Sequence, residues 1–141
     1  MELQRVQVAF DAADAHGLAT FWAAAFGYEV EDNHDQIEAL VAQGIASEDF
    51  YEVVDGRKRW KGAAAANHPS GRFPRLIFQE VPEPKTVKDR IHLDLHVGTD
   101  GRDDFVAHLL TLGATKLHDG RQGPHTWVTL ADPEGNEFCV S

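Results

Sequence analysis

The sequence DPEGNEFCV, residues 132–140, decides the fold of this chain. Its Pro-x-Gly-Asn segment suits a chain reversal, because proline presets φ and Gly135 tolerates the positive φ that a tight turn needs. The residues that follow alternate, so the side chains of Glu137 and Cys139 share one face of a strand and their apolar neighbours share the other. The stretch therefore predicts a turn that leads into a short strand with a titratable front and an apolar back.

A second strand with the same division is predicted at 91–97. Its apolar residues alternate with His92, Asp94 and His96, which share the polar face. Two strands with titratable fronts predict a cup that binds a ligand. A metal site made of this row alone is disfavoured, because alternate residues on a strand lie about 6.6 Å apart.

Composition bounds the class of protein. The chain has 141 residues, of which 43% are hydrophobic, enough for one compact domain with a core. No apolar run approaches the roughly 20 residues of a membrane helix. The N-terminal residues lack the basic and then apolar pattern of a secretion signal. A single cysteine fits a reducing compartment, so we expect a cytoplasmic protein without an internal disulfide.

The formal net charge is −10. This charge argues against nucleic acid and anionic membrane as partners, and it is compatible with a cationic ligand. The run Arg57–Lys61 places four bases around one tryptophan. It is predicted to be a solvated loop, with capture of an anionic group as the alternative.

Helix signals occur twice, with similar stops. Asp14 is a good N-cap for a helix over 16–26 with an apolar stripe, and Gly27 is its predicted stop. A second helix is predicted over Arg102–Leu112, with Gly113 as its stop. Since strands precede and follow each helix, the chain is predicted to contain a degenerate internal repeat.

The first copy of the repeat is about 25 residues longer than the second, which predicts an insertion at about 31–73. Within it we expect a helix over 34–46 and a strand over 50–54. The segments 62–74 and 118–125 are predicted to be loops.

With these motifs the chain resembles the vicinal oxygen chelate superfamily, which has the glyoxalase and bleomycin-resistance fold. The residues that match are Asp14, Phe21-Trp22, Gly27-Tyr28, His92-Leu93-Asp94-Leu95, Leu117 and 127–137. The sequence of residues 78–85 is similar to that of glyoxalase-like domain proteins common in actinobacteria. The resemblance implies an α+β fold of two tandem βαβββ modules, about 4–82 and 90–141, whose curled mixed sheets surround a central cup.

The resemblance also implies where ligands would lie. The positions of the metal ligands hold Gln7, Gln79, His92 and Cys139, the last in place of the usual glutamate. Neutral amides are poor ligands for transition metals. We therefore expect no metal or a weakly held divalent metal, bound by His92 and Glu137.

Three further side chains of the predicted cup have two interpretations each. Glu137 is predicted to be a general base whose pKa is raised by desolvation, or else a solvated acid. Cys139 is a nucleophile if it has a nearby base and partial exposure, and otherwise a small core residue. Trp127 stacks on a flat ligand or belongs to the core. Asp94 and His96 are predicted to line the cup.

Two functions remain open at this point. The first is a glyoxalase-type lyase or isomerase that acts through an oxyanion, with His92 binding the metal and Glu137 moving the proton. The alternative is a metal-free binding or sequestration protein of the bleomycin-resistance type. Either protein would bind a small molecule, and the resemblance implies a homodimer.

Overall fold

The computed structural model describes residues 1–141 and confirms the predicted α+β class. The chain forms two compact units, Met1–Val81 and Pro82–Ser141. The first unit contains β1 (Gln7–Ala12), α1 (Ala15–Phe26), β2 (Glu29–Val30), α2 (His34–Ala42), β3 (Tyr51–Val54), β4 (Arg57–Trp60), β5 (Ala63–Asn67) and β6 (Arg75–Glu80). The second contains β7 (Asp94–Leu95), α3 (Arg102–Leu112), β8 (Thr115–Gln122), β9 (His125–Ala131) and β10 (Glu137–Val140).

Each unit has a four-stranded mixed sheet with the same connectivity. The strand orders are β1-β6-β5-β2 and β7-β10-β9-β8, so in both sheets the first strand lies beside the last. That pair is parallel and the other pairs are antiparallel. The shared order confirms two βαβββ modules, the first of which carries α2 and the β3–β4 hairpin in addition.

The two long helices begin and end where the sequence predicts. The Asp14 carboxylate accepts a hydrogen bond from the Gly17 amide, which satisfies one donor of the first turn of α1. Gly27 and Gly113 end α1 and α3 in left-handed conformations, with φ of 69° and 112°. None of the helices combines the length and the apolar character that crossing a membrane requires.

The core of the first unit is aromatic on one side of its sheet. Trp22 of α1 and Phe78 of β6 are buried, and Phe10 of β1 stacks on Phe78 at 4.9 Å between ring centroids. Ala64 and Ala66 are buried on the same face of β5. Because these side chains are small, the bulky α1 residues can pack close to the sheet.

The loop predicted over 62–74 is wrong in its first half, where Ala63–Asn67 forms β5. Alanine is a poor strand former, so the local signal is weak. Pairing with β6 on one side and β2 on the other decides the structure of this segment. The true insertion between β2 and β5 therefore ends near residue 62 rather than near 73.

The basic run within the insertion forms strand β4 rather than a solvated loop. Its cations are all paired: Arg57 with Asp32 at 2.5 Å, Lys58 with Glu38, Arg59 with Glu52 at 2.7 Å, and Lys61 with the carbonyl oxygen of Glu48 at 2.7 Å. The chain itself thus supplies an oxygen partner for every one of these cations.

The second unit differs from expectation in two strands. The ladder of β7 is shorter than the predicted 91–97, although main-chain hydrogen bonds also join Leu93 and Val97 to β10 and Ser141. Residues 118–125 are not a loop, because β8 continues to Gln122 and a tight turn at 123–124 leads directly into β9. The residues of this part of the hairpin are mostly polar and show no alternation with apolar residues. Pairing between the two strands therefore decides its structure, and no local pattern predicts it.

The predicted turn before β10 is built around one buried carboxylate. Asp132 is 2% exposed. Its Oδ1 accepts hydrogen bonds from the amides of Glu134 and Asn136, at 2.9 and 3.0 Å, and its Oδ2 accepts from the Asn136 side chain at 2.8 Å. These bonds close the turn and set where β10 begins, so they also set which side chains of β10 face the polar side.

Candidate functional site

The polar face of the second sheet carries one continuous row of functional side chains. Asp94 of β7 lies opposite Cys139 of β10, Cys139 lies opposite Thr129 of β9, and Thr129 lies opposite His118 of β8. Neighbouring strands lie about 4.8 Å apart, so each side chain can contact the next. The predicted alternation of β10 is confirmed, since Phe138 and Val140 are buried on the opposite face.

This face forms the floor of a cleft of about 700 Å³. The volume is in the range of small-molecule sites. The residues that line the cleft include the predicted site residues of the second unit, which are His92, Asp94, His96, Trp127, Glu137 and Cys139. The cleft also contains Lys88, His118 and His125, for which the sequence analysis assigned no role.

His92, Asp94 and Cys139 form a cluster on the floor of the cleft. One potential ligand atom from each lies within 4.8 Å of the others. The Nδ1 atom of His92 and the Oδ1 atom of Asp94 are 2.9 Å apart, and Thr129 Oγ1 lies 3.6 Å from the Cys139 sulfur. The cysteine is partly exposed. The cysteine therefore has an imidazole, that of His92, within 4.8 Å and is partly accessible, which are the two conditions of its reactive interpretation.

The donor atoms of the cluster are of the types that bind a divalent metal ion. Nitrogen, oxygen and thiolate sulfur bind Zn²⁺ at about 2.0–2.3 Å, which places tetrahedral donors roughly 3.5 Å apart. The ligand atoms of the cluster lie within 4.8 Å of one another, so binding an ion would need side-chain rotation of about 1 Å. Three protein ligands would leave one position of a tetrahedral site for water or substrate. The cluster includes Asp94, which the predicted metal pair did not, and it does not include Glu137.

Glu137 is occupied by a different set of contacts. Its Oε2 accepts a hydrogen bond from the Asp89 amide at 3.0 Å, and the Lys85 ammonium lies 3.1 Å away. Desolvation alone would raise the pKa of the Glu137 carboxyl, but these two partners outweigh it and lower the pKa from 4.5 to about 2. The expected raised pKa is therefore wrong. A base role for Glu137 stays a prediction, and so weak a base is poorly matched to abstracting a proton near neutral pH.

His96 shares the polar face but does not join the cluster. Its Nδ1 lies 2.7 Å from the Ser141 hydroxyl, and these two residues are two positions further along the chain than Asp94 and Cys139. This separation agrees with the spacing argument against a metal site made of 92, 94 and 96 alone.

Trp127 is held at a defined place on the floor of the cleft. It lies opposite Gly120 in the β8–β9 hairpin, and a Cβ atom at Gly120 would come within 2.1 Å of the indole Cε2. The indole thus covers the glycine Cα and remains half-buried among the lining residues. Of the two predicted alternatives, the structure places Trp127 at the cleft and not in the core.

The first unit does not bring Gln7 and Gln79 together. In the parallel β1–β6 pair, Gln7 lies opposite Arg75 and Gln79 lies opposite Asp11. The two glutamines are four residue steps apart, about 13 Å along the strands. The Gln7 side chain accepts a hydrogen bond from Arg75 at 2.7 Å. The two amides therefore do not lie side by side, and their role in binding a ligand stays a prediction.

Sequence reasoning missed four residues of this region: Lys88, Asp89, His118 and His125. The two histidines lay in the segment predicted to be a loop. Its Gly-Pro dipeptide at 123–124 is a turn signal and could have revealed the hairpin. Lys88 and Asp89 precede a strand in a stretch rich in charge, and no local pattern marks them. Only the fold places them beside β10.

Comparison with known proteins agrees with this architecture. A family model described as Glyoxalase-like domain matches residues 7–141. No curated protein matches the chain in sequence. A glyoxalase/bleomycin resistance protein/dioxygenase family enzyme from Burkholderia phytofirmans has a similar structure, with a TM-score of 0.62, 17% identity, and coverage of 95% of this chain and 94% of that one.

A variant of the fosfomycin resistance protein FosX from Listeria monocytogenes, complexed with Mn(II) and 1S,2S-dihydroxypropylphosphonic acid, is also similar. Its TM-score is 0.63 at 10% identity, with coverage of 99% of this chain and 90% of that one. The oxidase ChaP-H2 has a TM-score of 0.59 at 15% identity, with coverage of 99% and 93%. At these identities the likeness shows the fold alone.

Proposed function

Because this chain belongs to the Glyoxalase-like domain family, we propose that it binds a small organic molecule in the cleft of its second unit and activates it beside a divalent metal ion. The observation that carries the proposal is the cluster of His92, Asp94 and Cys139 on the floor of that cleft. The reaction class is that of a lyase or isomerase, in which negative charge develops on an oxygen of the substrate. The FosX complex with Mn(II) supports a metal in this fold.

When bound, a divalent ion would supply Lewis-acid polarisation of a substrate oxygen. The chain's own residues have other roles. Trp127 provides a flat surface that orients the molecule, and His118 lies in the same cross-strand row as the cluster. Histidine is the side-chain type suited to moving a proton near neutral pH. We therefore assign proton transfer to His118 in preference to Glu137.

The thiolate makes zinc the favoured metal. Cysteine sulfur is a soft ligand that suits Zn²⁺, whereas Mn²⁺ prefers carboxylate and water oxygens. Replacing the family's usual carboxylate with Cys139 thus changes the preference of the site without removing its capacity for metal. This proposal differs from the weakly held metal at His92 and Glu137 that the sequence analysis expected.

Cobalt substitution tests the metal site directly. Co²⁺ bound to a thiolate gives an intense charge-transfer absorption, and Cys139 is the only cysteine. We expect this band in the native chain and its loss in Cys139→Ser. His92→Ala should weaken Co²⁺ binding by about tenfold or more, whereas His108→Ala, on the exposed side of α3, should leave it unchanged. Absence of the band in the folded native chain would contradict the proposal.

Metal-free binding is the second candidate, and one observation favours it. His92 and Asp94 already bond to each other, and the Cys139 sulfur has Thr129 as a partner. The cluster therefore has internal partners that do not require an ion. Ligand binding that is unchanged after treatment with EDTA would favour this candidate over the first.

The remaining expectations stay predictions. A homodimer is tested by sedimentation equilibrium of the full chain, and a cytoplasmic location by fractionation of the host cells.

A further inference from the structure

The charge inside the cleft differs from the charge of the whole chain. Of the two acids that line the cleft, Glu137 is paired with Lys85 and Asp94 is bonded to His92. Lys88 is the lining cation, and its only hydrogen-bond partner is the main-chain carbonyl oxygen of Asp89, at 3.4 Å. Only two of the 23 acids of the chain line the cleft, so most of the net charge of −10 lies elsewhere.

The cleft is also rich in unused hydrogen-bond donors. The side chains of His118 and His125 line the cleft, are exposed and make no hydrogen bond to another group of the chain. Each imidazole ring carries at least one N–H group in either protonation state, and the Lys88 ammonium carries three. Such groups stabilise oxygen anions. The paired Glu137 does not compete for them.

The third element is the indole of Trp127. Because Gly120 has no side chain, the indole ring occupies the space that a side chain would fill and packs on the backbone of β8. An aromatic surface held in this way favours offset stacking with a flat ring over contact with a bulky aliphatic group. The ring and the donors line the same cleft.

From these three features we infer that the cleft selects a planar, anionic molecule of the aromatic carboxylate or conjugated enolate class. The inference rests on the proposed small-molecule function and names its ligand class, but it does not depend on the metal. The net charge of the chain is compatible with a cationic ligand, but groups that contact the ligand act at short range, whereas salt screens the distant charges.

Calorimetric titration of the full chain, with and without zinc, tests the inference with three probes of similar size. Naphthoate is planar and anionic, naphthylmethylammonium is planar and cationic, and decalin carboxylate is anionic and not planar. We expect naphthoate to bind about tenfold more tightly than the ammonium probe. We expect it to bind about fivefold more tightly than the decalin probe.

Variants locate the binding. Lys88→Gln should weaken naphthoate binding by about threefold, and Trp127→Leu by about fivefold. Lys116→Gln, which removes a lysine paired with Asp119 outside the cleft, should change nothing. Circular dichroism of each variant confirms that it is folded.

Equal or tighter binding of the ammonium probe, binding insensitive to both variants, or no binding of any probe would overturn the inference. None of these results affects the cobalt band, so the proposed metal-assisted function is judged separately.

Discussion

Asp89 and Glu137 exchange two hydrogen bonds: the amide of each residue donates to the carboxylate of the other, at 3.0 Å in both directions. The pair joins the segment before β7 to the start of β10. Lys85 contacts both carboxylates, at 3.4 Å and 3.1 Å. The pair thereby anchors the chain that leads to His92, three residues beyond Asp89, so Glu137 helps to position the cluster without belonging to it.

Glu137→Gln is expected to destabilise the folded chain by about 2 kcal/mol near pH 7. The substitution removes the negative charge from the acceptor of the Asp89 amide, and it removes the ion pair with Lys85. Urea unfolding measures the change, with Glu83→Gln as the control on an exposed acid of the same unit. Equal stability of the native chain and E137Q would contradict the anchoring role. Loss of catalytic turnover with unchanged stability would instead support Glu137 as a base.

The same carboxylate predicts a dependence of stability on pH. Its pKa in the folded chain is about 2, below the ordinary 4.5, so folding favours the ionised form. The resulting stabilisation is fully present above pH 4.5 and is lost as the pH falls towards 2. The difference in unfolding free energy between the native chain and E137Q should therefore shrink over this range. A constant difference would contradict the lowered pKa.

Gly120→Ala is expected to displace the indole of Trp127. The new methyl group would come within 2.1 Å of Cε2, so the ring or the hairpin must move, at a cost of about 1–3 kcal/mol. Near-ultraviolet circular dichroism and urea unfolding detect the change. In a Trp127→Leu background the same glycine substitution should cost much less, because a leucine can turn away. Equal costs in the two backgrounds would show that the indole does not lie over the glycine.

Asp132→Ala is expected to destabilise the second unit by roughly 3 kcal/mol. The change leaves the partly buried amides of Glu134 and Asn136 without their acceptor. Asp132→Asn keeps one carbonyl oxygen in place and should cost less than half as much. Thermal unfolding of the two variants gives the comparison, and equal losses would mean that the turn does not depend on these bonds.

Cys139→Glu is expected to change the metal preference of the cluster. A carboxylate in place of the thiolate should lower the ratio of zinc to manganese affinity by about tenfold or more, because oxygen ligands are harder than sulfur. Competition with a chromophoric chelator measures both affinities. Cys139→Ser, which offers a weak neutral ligand, should lower the affinity for both metals. An unchanged ratio in C139E would place the metal elsewhere.

Local signals were sufficient for much of the fold. The Asp14 cap, the glycine stops and the apolar stripes predicted α1 and α3 closely, because helix ends depend on residues a few positions apart. The alternation in β10 also predicted which side chains are buried. Local signals failed for β5 and for the end of β8, where alanine or polar residues become strands through pairing with neighbours distant in sequence.

The sequence by itself determined which side chains of β7 and β10 share a polar face, since that depends only on the two-residue period of a strand. It could not determine which of them meet. Strand register places Asp94 beside Cys139 and keeps Gln7 about 13 Å along the strands from Gln79. The approach of residues 85–89 to β10 lowers the pKa of Glu137 instead of raising it. Contacts between segments far apart in the chain decide these outcomes, because charge and distance act through space and no local pattern encodes them.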